Sequence, residues 1–480
     1  MEQQLLETGK KAVAHAQKLG VDEAEAFLYT ENQTSVTFVG GVFASRGGAV
    51  KGLKGAFVKA VEFWLKKKGM PIITSGIKAG VGIRAVANKA MGFASVSSIE
   101  EAKVLEAVEE AVKIAKIRPP DPNWFSLPDP KKPGESGIFD QKVADLDIER
   151  MLNMCSEGCV TAADYDKRIT QAMTMATATS ATFAVVNSHG VEVSDKKTTF
   201  TAGFSTKAKA GTEEVSSTDF VSSRKLVEDL RPIARNAAER TIACIGKRAL
   251  PEKHIGPVVF ENTTWTELFS VIFTYGISAL NRQETRSVYK GKIGTKVAKE
   301  EVTIVDDGTL TEGFGTAKID DEGVPQQKTT IIEKGILANV LYDNYTAKRE
   351  SRESTGNAHR HGRVTAPYAT AVSITPSNLT LMPGKGGLQD LVGEVKEGVL
   401  VKGSLIGALH SNMITGDFSV GAENAFKIEN GQVAYPIKAC TVAGNLYEAL
   451  NAVIAIGNDA KPAMNFICPS IVIDKIVVST

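Results

Sequence analysis

The chain has almost no net charge: 56 Lys and Arg stand against 55 Asp and Glu over 480 residues. It therefore has no global field to gather nucleic acid or anionic lipid, which counts against both as partners. It lacks any run of 18 or more apolar residues, so no transmembrane helix is expected. It also lacks a basic leader. Met1-Glu-Gln-Gln-Leu-Leu-Glu7 is acidic and amphipathic, unlike a signal peptide, and a cytoplasmic protein is expected. Cysteines number five, with no CxxC, which argues against a disulfide framework and against a zinc ribbon. Cys155 and Cys159 sit four apart in a helical pattern and read as small buried apolar groups. No GxSxG elbow, Walker A loop, strand–GxGxxG–helix unit or solenoid repeat occurs.

What is present is a two-part pattern. At this length one ordinary core does not suffice, and a hydrophobic content of 43% is that of a globular protein. Leu5, Leu6, Ala12, Val13, Ala16 and Leu19 recur at helical spacing, and Gly20 stops that helix. Residues 26–45 alternate as strands, with Val36, Phe38 and Val42 around Gly40-Gly41. A basic amphipathic segment follows at 50–68, with Val50, Leu53, Phe57, Val61 and Trp64 on one face. Gly80-Val-Gly-Ile-Arg84 and Met91-Gly-Phe93 read as a strand pair. Ser97 and Ser98 stand at capping-box spacing from Glu100 and Glu101, before a helix to about Lys116. The Pro-rich stretch 118–138 reads as a linker or long surface loop.

A helix from near Asp145 to Ala163 leads into strands on either side of an Asn187-Ser-His-Gly190 turn. A helix over about 223–246, kinked early at Pro232, ends this half. From Gly256 the chain becomes β-rich. One apolar helix at 264–280 interrupts it, with Thr264 and Glu267 spaced as a capping box. The expected class is α+β. Domain 1–246 places helices on a sheet, in two segments joined by 118–138. Domain 247–480 is a curved, mostly antiparallel sheet around a buried helix.

Chemistry-bearing residues are dense from 300 onward. Asp306, Asp307, Asp320, Asp321 and Glu322 could serve acid–base work or a hard cation. Asp-Asp-Gly and Asp-Glu-Gly are also turn chemistry, with side chains capping their own backbone, and that reading is preferred. His359 and His361 face the same way on a strand but have no acidic or Cys partner nearby in sequence, so a polar groove or interface is favoured over a metal pair. Ser354-Thr-Gly-Asn357 and Thr415-Gly-Asp-Phe-Ser419 fit tight turns. They equally fit a groove whose free backbone groups take an extended peptide as an added strand. The groove candidates are Ser354, Thr355, Asn357, Arg360, Thr415, Asp417 and Ser419. No residue is assigned as catalytic or metal-ligating.

These blocks, with Val305-Asp-Asp307, Ile319-Asp-Asp-Glu-Gly-Val-Pro325, Val442-Ala-Gly-Asn445 and Ile456-Gly-Asn-Asp459, resemble the C-terminal half of the TldD/TldE (PmbA) family. Asp22-Glu-Ala-Glu-Ala-Phe27, Gly82-Ile-Arg84, Gly92-Phe-Ala-Ser95 and Val186-Asn-Ser-His-Gly190 match its N-terminal half more loosely. The zinc-bearing TldD carries an HExxxH helix, in which two His grip the metal and the Glu takes a proton from bound water. An approximate register puts Val271, Ile272 and Gly276 in those places. TldD's C-terminal CGK-type Cys segment is also missing, since Cys468 is not in the ligand position. The basic segment 46–79 looks longer than the family's usual connection.

The resemblance implies a TldE/PmbA-like, non-catalytic subunit. It would pair with a zinc-bearing TldD-like partner through 247–480 and degrade or process unfolded peptides. Zinc is expected in the partner and no cofactor in this chain. The family's older label, modulator of DNA gyrase, implies no DNA contact here. The alternatives are a stand-alone homodimer that binds peptides or a small ligand, and an independent hydrolase using the Asp cluster.

Overall fold

A computed structural model of the chain describes residues 1–41, 69–360 and 366–480. Val42, the amphipathic segment at 50–68 and His361 lie outside the described residues. The N-terminal region is one antiparallel sheet with strand order β3-β2-β1-β4-β5-β6. The strands are β1 (Glu23–Gly41), β2 (Gly69–Ala87), β3 (Ala90–Val96), β4 (Ile169–Asn187), β5 (Glu192–Ala210) and β6 (Glu213–Ser223). β1 pairs with both β2 and β4, so the stretches before and after the Pro-rich segment share this sheet. Residues 69–79 of the long basic connection are the first half of β2.

Alternation along β1 sorts its side chains into two layers. Even positions meet helices: Ala24, Ala26 and Leu28 pack with helices Glu2–Lys18 and Glu101–Ile117. Further along, Val36 and Phe38 pack with helices Ile148–Ala163 and Arg231–Ala243. Cys155 and Cys159 are buried thiols in that second cluster, and burial pushes Cys155 up to about 12. Odd positions Phe27 and Tyr29 face the C-terminal half, against Ile319 and Tyr368.

Several local expectations need correction. Residues 118–138 are a packed strap. Trp124 and Leu127 are buried against Val86, and the indole and the Leu127 N–H both donate to Glu23, at 2.8 and 2.9 Å. Proline freezes this stretch, and two apolar anchors supply the burial that composition alone hides. Pro232 starts its helix, where its missing N–H costs nothing, and residues before 231 are not helical. Ser98 accepts from Glu100 N at 3.1 Å, a local turn, and Glu100 itself is the helix N-cap.

From 254 the strands shorten. They are β7 (His254–Phe260), β8 (Ile304–Asp307), β9 (Lys328–Glu333), β10 (Ile336–Leu337), β11 (Ala358–His359), β12 (Ser373–Ile374) and β13 (Leu379–Leu381). After them come β14 (Glu397–Ile406), β15 (Asp417–Glu429), β16 (Gln432–Ile437), β17 (Cys440–Asn445), β18 (Val453–Ile456), β19 (Lys461–Ala463), β20 (Phe466–Cys468) and β21 (Ile471–Ser479). β14-β7-β21-β17-β15 form a ring that the β14–β15 pairing closes into a barrel. A second sheet runs β10-β9-β8-β13-β20-β19. Most pairings are antiparallel; β7–β14 and β13–β20 are parallel. The class is α+β.

The apolar helix begins at Asn262, passes through a π turn at Phe269–Phe273 and ends at Gly276; a separate turn spans Ala279–Gln283. Trp265, Leu268, Phe269, Ile272 and Phe273 are fully buried in the largest core, with Val258, Val401 and Val442 from the barrel. Thr264 and Glu267 do not cap it. Thr264 Oγ1 donates to Gly403 O at 2.7 Å, and Glu267 Oε2 accepts from Leu405 N at 2.7 Å. β14 bulges between Lys402 and Leu405, and these side chains satisfy the backbone groups that the bulge leaves unpaired.

Candidate functional site

The sequence blocks come together in two places. The first is a buried polar junction between the N-terminal sheet and the C-terminal half. Arg84 on β2 grips Glu25 on β1 with two hydrogen bonds and donates to Glu322 Oε1 at 2.8 Å. Arg360 Nη2 donates to the same Glu25, at 2.8 Å. Glu322 Oε2 accepts from Asn344 N at 3.0 Å. Asp320 caps its own turn through Glu322 N and Val324 N, and also accepts from Ala358 N at 3.0 Å. Asp306, on β8, accepts from Asn357 Nδ2 at 2.6 Å and from the backbone of Ser377 and Asn378.

Burial dominates the electrostatics here. It raises Asp306 to about 6 against the pull of three N–H donors. It raises Asp320 well above its ordinary value, aided by the Glu322 charge. Burial also works against the Arg84 cation, but Glu25 and Glu322 outweigh it and the pKa rises. The turn reading holds for Asp320 and Asp307, which caps Thr309 N at 3.0 Å. Asp306 instead ties β8 to distant backbone.

Four of the candidate groove residues belong to this junction. Ser354, Thr355, Asn357 and Arg360 are all buried. The Ser354 and Thr355 hydroxyls both donate to Tyr342 O at 3.1 Å. The expected free backbone is absent in this block. Thr355 N donates to Tyr342 O, Gly356 N to the Ser354 hydroxyl, and Thr375 N to Asn357 O. A segment threaded through a core must satisfy its own peptide groups there.

Thr415, Asp417 and Ser419 lie elsewhere, exposed at the start of β15. No hydrogen bond or ion pair joins them to the first group. Asp417 accepts from Thr415 Oγ1 at 2.6 Å and from Asn445 Nδ2 at 2.8 Å, which hold its carboxylate below the usual range. Asn445 also caps helix Leu446–Asn451. Asp417, Asn445, Glu448, Lys299 and Lys475 line an open groove of about 830 Å³. β15 pairs with β17 from Asp417 onward but meets β14 only from Gly421; Asp417 O accepts from Asn412 N at 2.8 Å, so the strand edge is open around Ser419.

The apolar helix lies under this second place. The Tyr447 hydroxyl donates to Ile272 O at 3.2 Å, and its ring covers Gly276 and Gly416. Ser270, Val271, Thr274 and Tyr275 are the partly solvent-exposed side of the helix. No residue from 268 to 280 is His, Cys, Asp or Glu. Among the described residues, no three such side chains converge as a metal site. Cys468 is buried, and burial pushes its thiol up to about 12. The residues present do not fit a zinc ion, and no zinc chemistry is assigned to this chain.

Family models for the PmbA/TldA metallopeptidase match three stretches: domain 1 over 65–115, the central domain over 141–245 and the C-terminal domain over 253–480. The chain belongs to the PmbA/TldD family. It is 31% identical to the uncharacterized protein MJ0231 of Methanocaldococcus jannaschii, over 87% of this chain and 94% of that one. It is 28% identical to a metalloprotease PmbA homolog of Haemophilus influenzae, over 83% and 85% of the two chains. The crystal structure of TldE from Thermococcus kodakarensis superposes with a TM-score of 0.82 at 25% identity, covering 98% and 99% of the chains.

Family membership explains why Asp22–Phe27, Gly82–Arg84, 319–325 and the 354–360 block stand out in sequence. In this PmbA/TldD chain they meet at the junction. The sequence reading gave no role to Glu25, Arg84, Glu31 or Lys197. Charged residues at one parity of strands otherwise rich in Ala, Thr and Val were the available signal.

Proposed function

We propose that this chain is the zinc-free, TldE/PmbA-like subunit of a TldD/TldE heterodimer that degrades or processes unfolded peptides. The carrying observation is the helix Asn262–Gly276. Its partly exposed side from 268 onward offers Ser270, Val271, Thr274 and Tyr275, none of them a metal ligand, and the one carboxylate of the helix, Glu267, is engaged with Leu405 N. Around it the surface suits a partner and an extended chain. Ile406 at the end of β14 and Leu409 and Ile414 before β15 are exposed, giving apolar area of the kind an obligate interface buries. The edge around Ser419 suits an added peptide strand, with the groove beside Asp417. Thr415, Asp417 and Ser419 would hold peptide or shape the chamber, while Ser354, Thr355, Asn357 and Arg360 act by fixing the junction.

The test is co-purification from the native cell followed by metal analysis. The expected result is a chain that alone holds no stoichiometric zinc and cleaves no peptide. It should recover chelator-sensitive peptidase activity with an HExxxH-bearing partner, at about one zinc per pair. Zinc and activity in the isolated chain would overturn the proposal. A stable homodimer with no partner in the cell would instead favour a stand-alone binding protein.

A further inference from the structure

A separate cavity of about 220 Å³ opens between the outer face of the N-terminal sheet and the C-terminal half. Its sheet wall carries Glu31, Lys197 and Phe183; the opposite wall carries Asp321, Phe314 and Ile319. Glu31 and Lys197 flank Ala181 in one cross-strand row, so about 10 Å of sheet separates their backbones and a small side chain leaves the hollow between them. Glu31 is already neutralised, by Tyr29 OH at 2.6 Å and Lys78 Nζ at 2.9 Å.

Lys197 is not. It has no hydrogen bond or ion pair among the described residues, although it sits deep enough for desolvation to lower its pKa against the pull of Asp321. Across the cavity Asp321 uses one carboxylate oxygen, Oδ2, on Arg360 N at 2.6 Å; its Oδ1 has no partner among the described residues. Lys197 is partly buried, and an ammonium that is partly desolvated and without an ion-pair partner costs folding some stability.

We infer that this cavity binds a small zwitterion, a free α-amino acid with an apolar side chain, its carboxylate on Lys197 and its ammonium on Asp321. A simple anion would face Asp321, and a simple cation would leave Lys197 unmatched. Thr179, Thr199, Gln326, His359 and Asn465 also line the cavity, and its apolar part, Phe183, Phe314 and Ile319, is where an apolar side chain would pack. The volume lies below the roughly 300–1,000 Å³ of pockets for drug-sized ligands. The site lies wholly within this chain, so it does not depend on the zinc-bearing partner.

The test is calorimetric titration of the full chain with L-leucine and L-phenylalanine, beside N-acetyl-L-leucine and L-leucinamide. Saturable binding of a free amino acid is expected, with each blocked analogue weaker by about tenfold or more. Lys197→Met and Asp321→Asn should each weaken binding by about the same factor. Lys197→Met should melt at or above the native temperature, because it removes a partly desolvated charge with no ion-pair partner. The inference is overturned by no saturable binding of either amino acid at millimolar concentration, or by blocked analogues that bind as well. Native affinity in Lys197→Met, or a melting temperature well below native, would overturn it too, since either result makes the lysine irrelevant or structural.

Discussion

Replacing Gly356 with Ala tests whether the Thr355-Gly-Asn357 block is a structural clasp. Gly356 has φ +71°, a left-handed conformation. An added Cβ would lie 2.4 Å from Pro325 O and 2.8 Å from Gln326 Cα. Both are backbone atoms, so no side chain can swing aside. Residues 325–327 are themselves tied down. Gln326 Oε1 accepts from Ala317 N at 2.8 Å, and Gln327 Nε2 donates to Ser354 O at 2.9 Å. The left-handed geometry costs Ala about 1–2 kcal/mol. Overpacking against fixed neighbours adds about 1–3 kcal/mol. The lower entropy of the unfolded Ala chain returns about 0.4–1 kcal/mol. A net loss of roughly 1–5 kcal/mol follows from these terms.

Gly407 is the control. Its φ is +91° and nothing lies within 4 Å of an added Cβ, so Gly407→Ala carries the conformational cost alone. Urea unfolding of both variants, followed by tryptophan fluorescence, isolates the contact with Pro325. The expected gap is about 2 kcal/mol. Equal midpoints for the two variants would refute the reasoning.

Arg84→Met leaves Glu322 without a cation and Glu25 with Arg360 alone, and should cost about 3–5 kcal/mol in a denaturant titration; a loss under 1 kcal/mol would mean the network contributes little. Asp417→Ala removes only exposed hydrogen bonds, so stability should move by about 1 kcal/mol or less while peptide turnover by the reconstituted heterodimer falls. Asn357→Ala strips a donor from buried Asp306 and should destabilise by about 1–3 kcal/mol, a cost that belongs to folding. The folded pKa of Asp306, about 6, lies above its unfolded value. The folded state therefore holds that proton more tightly, and stability falls as pH rises from about 4 to about 6. Stability curves over this range should slope downward more steeply for the native chain than for Asp306→Asn; parallel curves would remove Asp306 as the cause.

Local patterns carried much of this protein. The i, i+3, i+4 spacing from Leu5 to Leu19 specifies a helix because only that face can reach a core, and the observed helix is Glu2–Lys18. Alternation around Val36 and Phe38 specifies a strand, because side chains on a strand change face at every residue. That 264–280 is largely buried followed from its apolar face, Leu268, Phe269, Ile272 and Phe273, and the family was legible from the order of its short blocks. Sequence could not say what Thr264 and Glu267 do. Their spacing fits a cap, but the bulge in β14, more than 130 residues away, takes both side chains. Nor could it separate Asn357 from Asp417. Both sit in polar, Gly-rich blocks, yet one is sealed in a core and the other stands at a strand edge. Glu25, Arg84, Glu322 and Arg360 are spread over more than 300 residues, and only chain topology makes them neighbours. The same holds for Lys197 and Asp321, whose meaning depends on a shared cavity. Local geometry is written in adjacent residues. Electrostatic partnership is a matter of distance in space, and only the folded chain sets that distance.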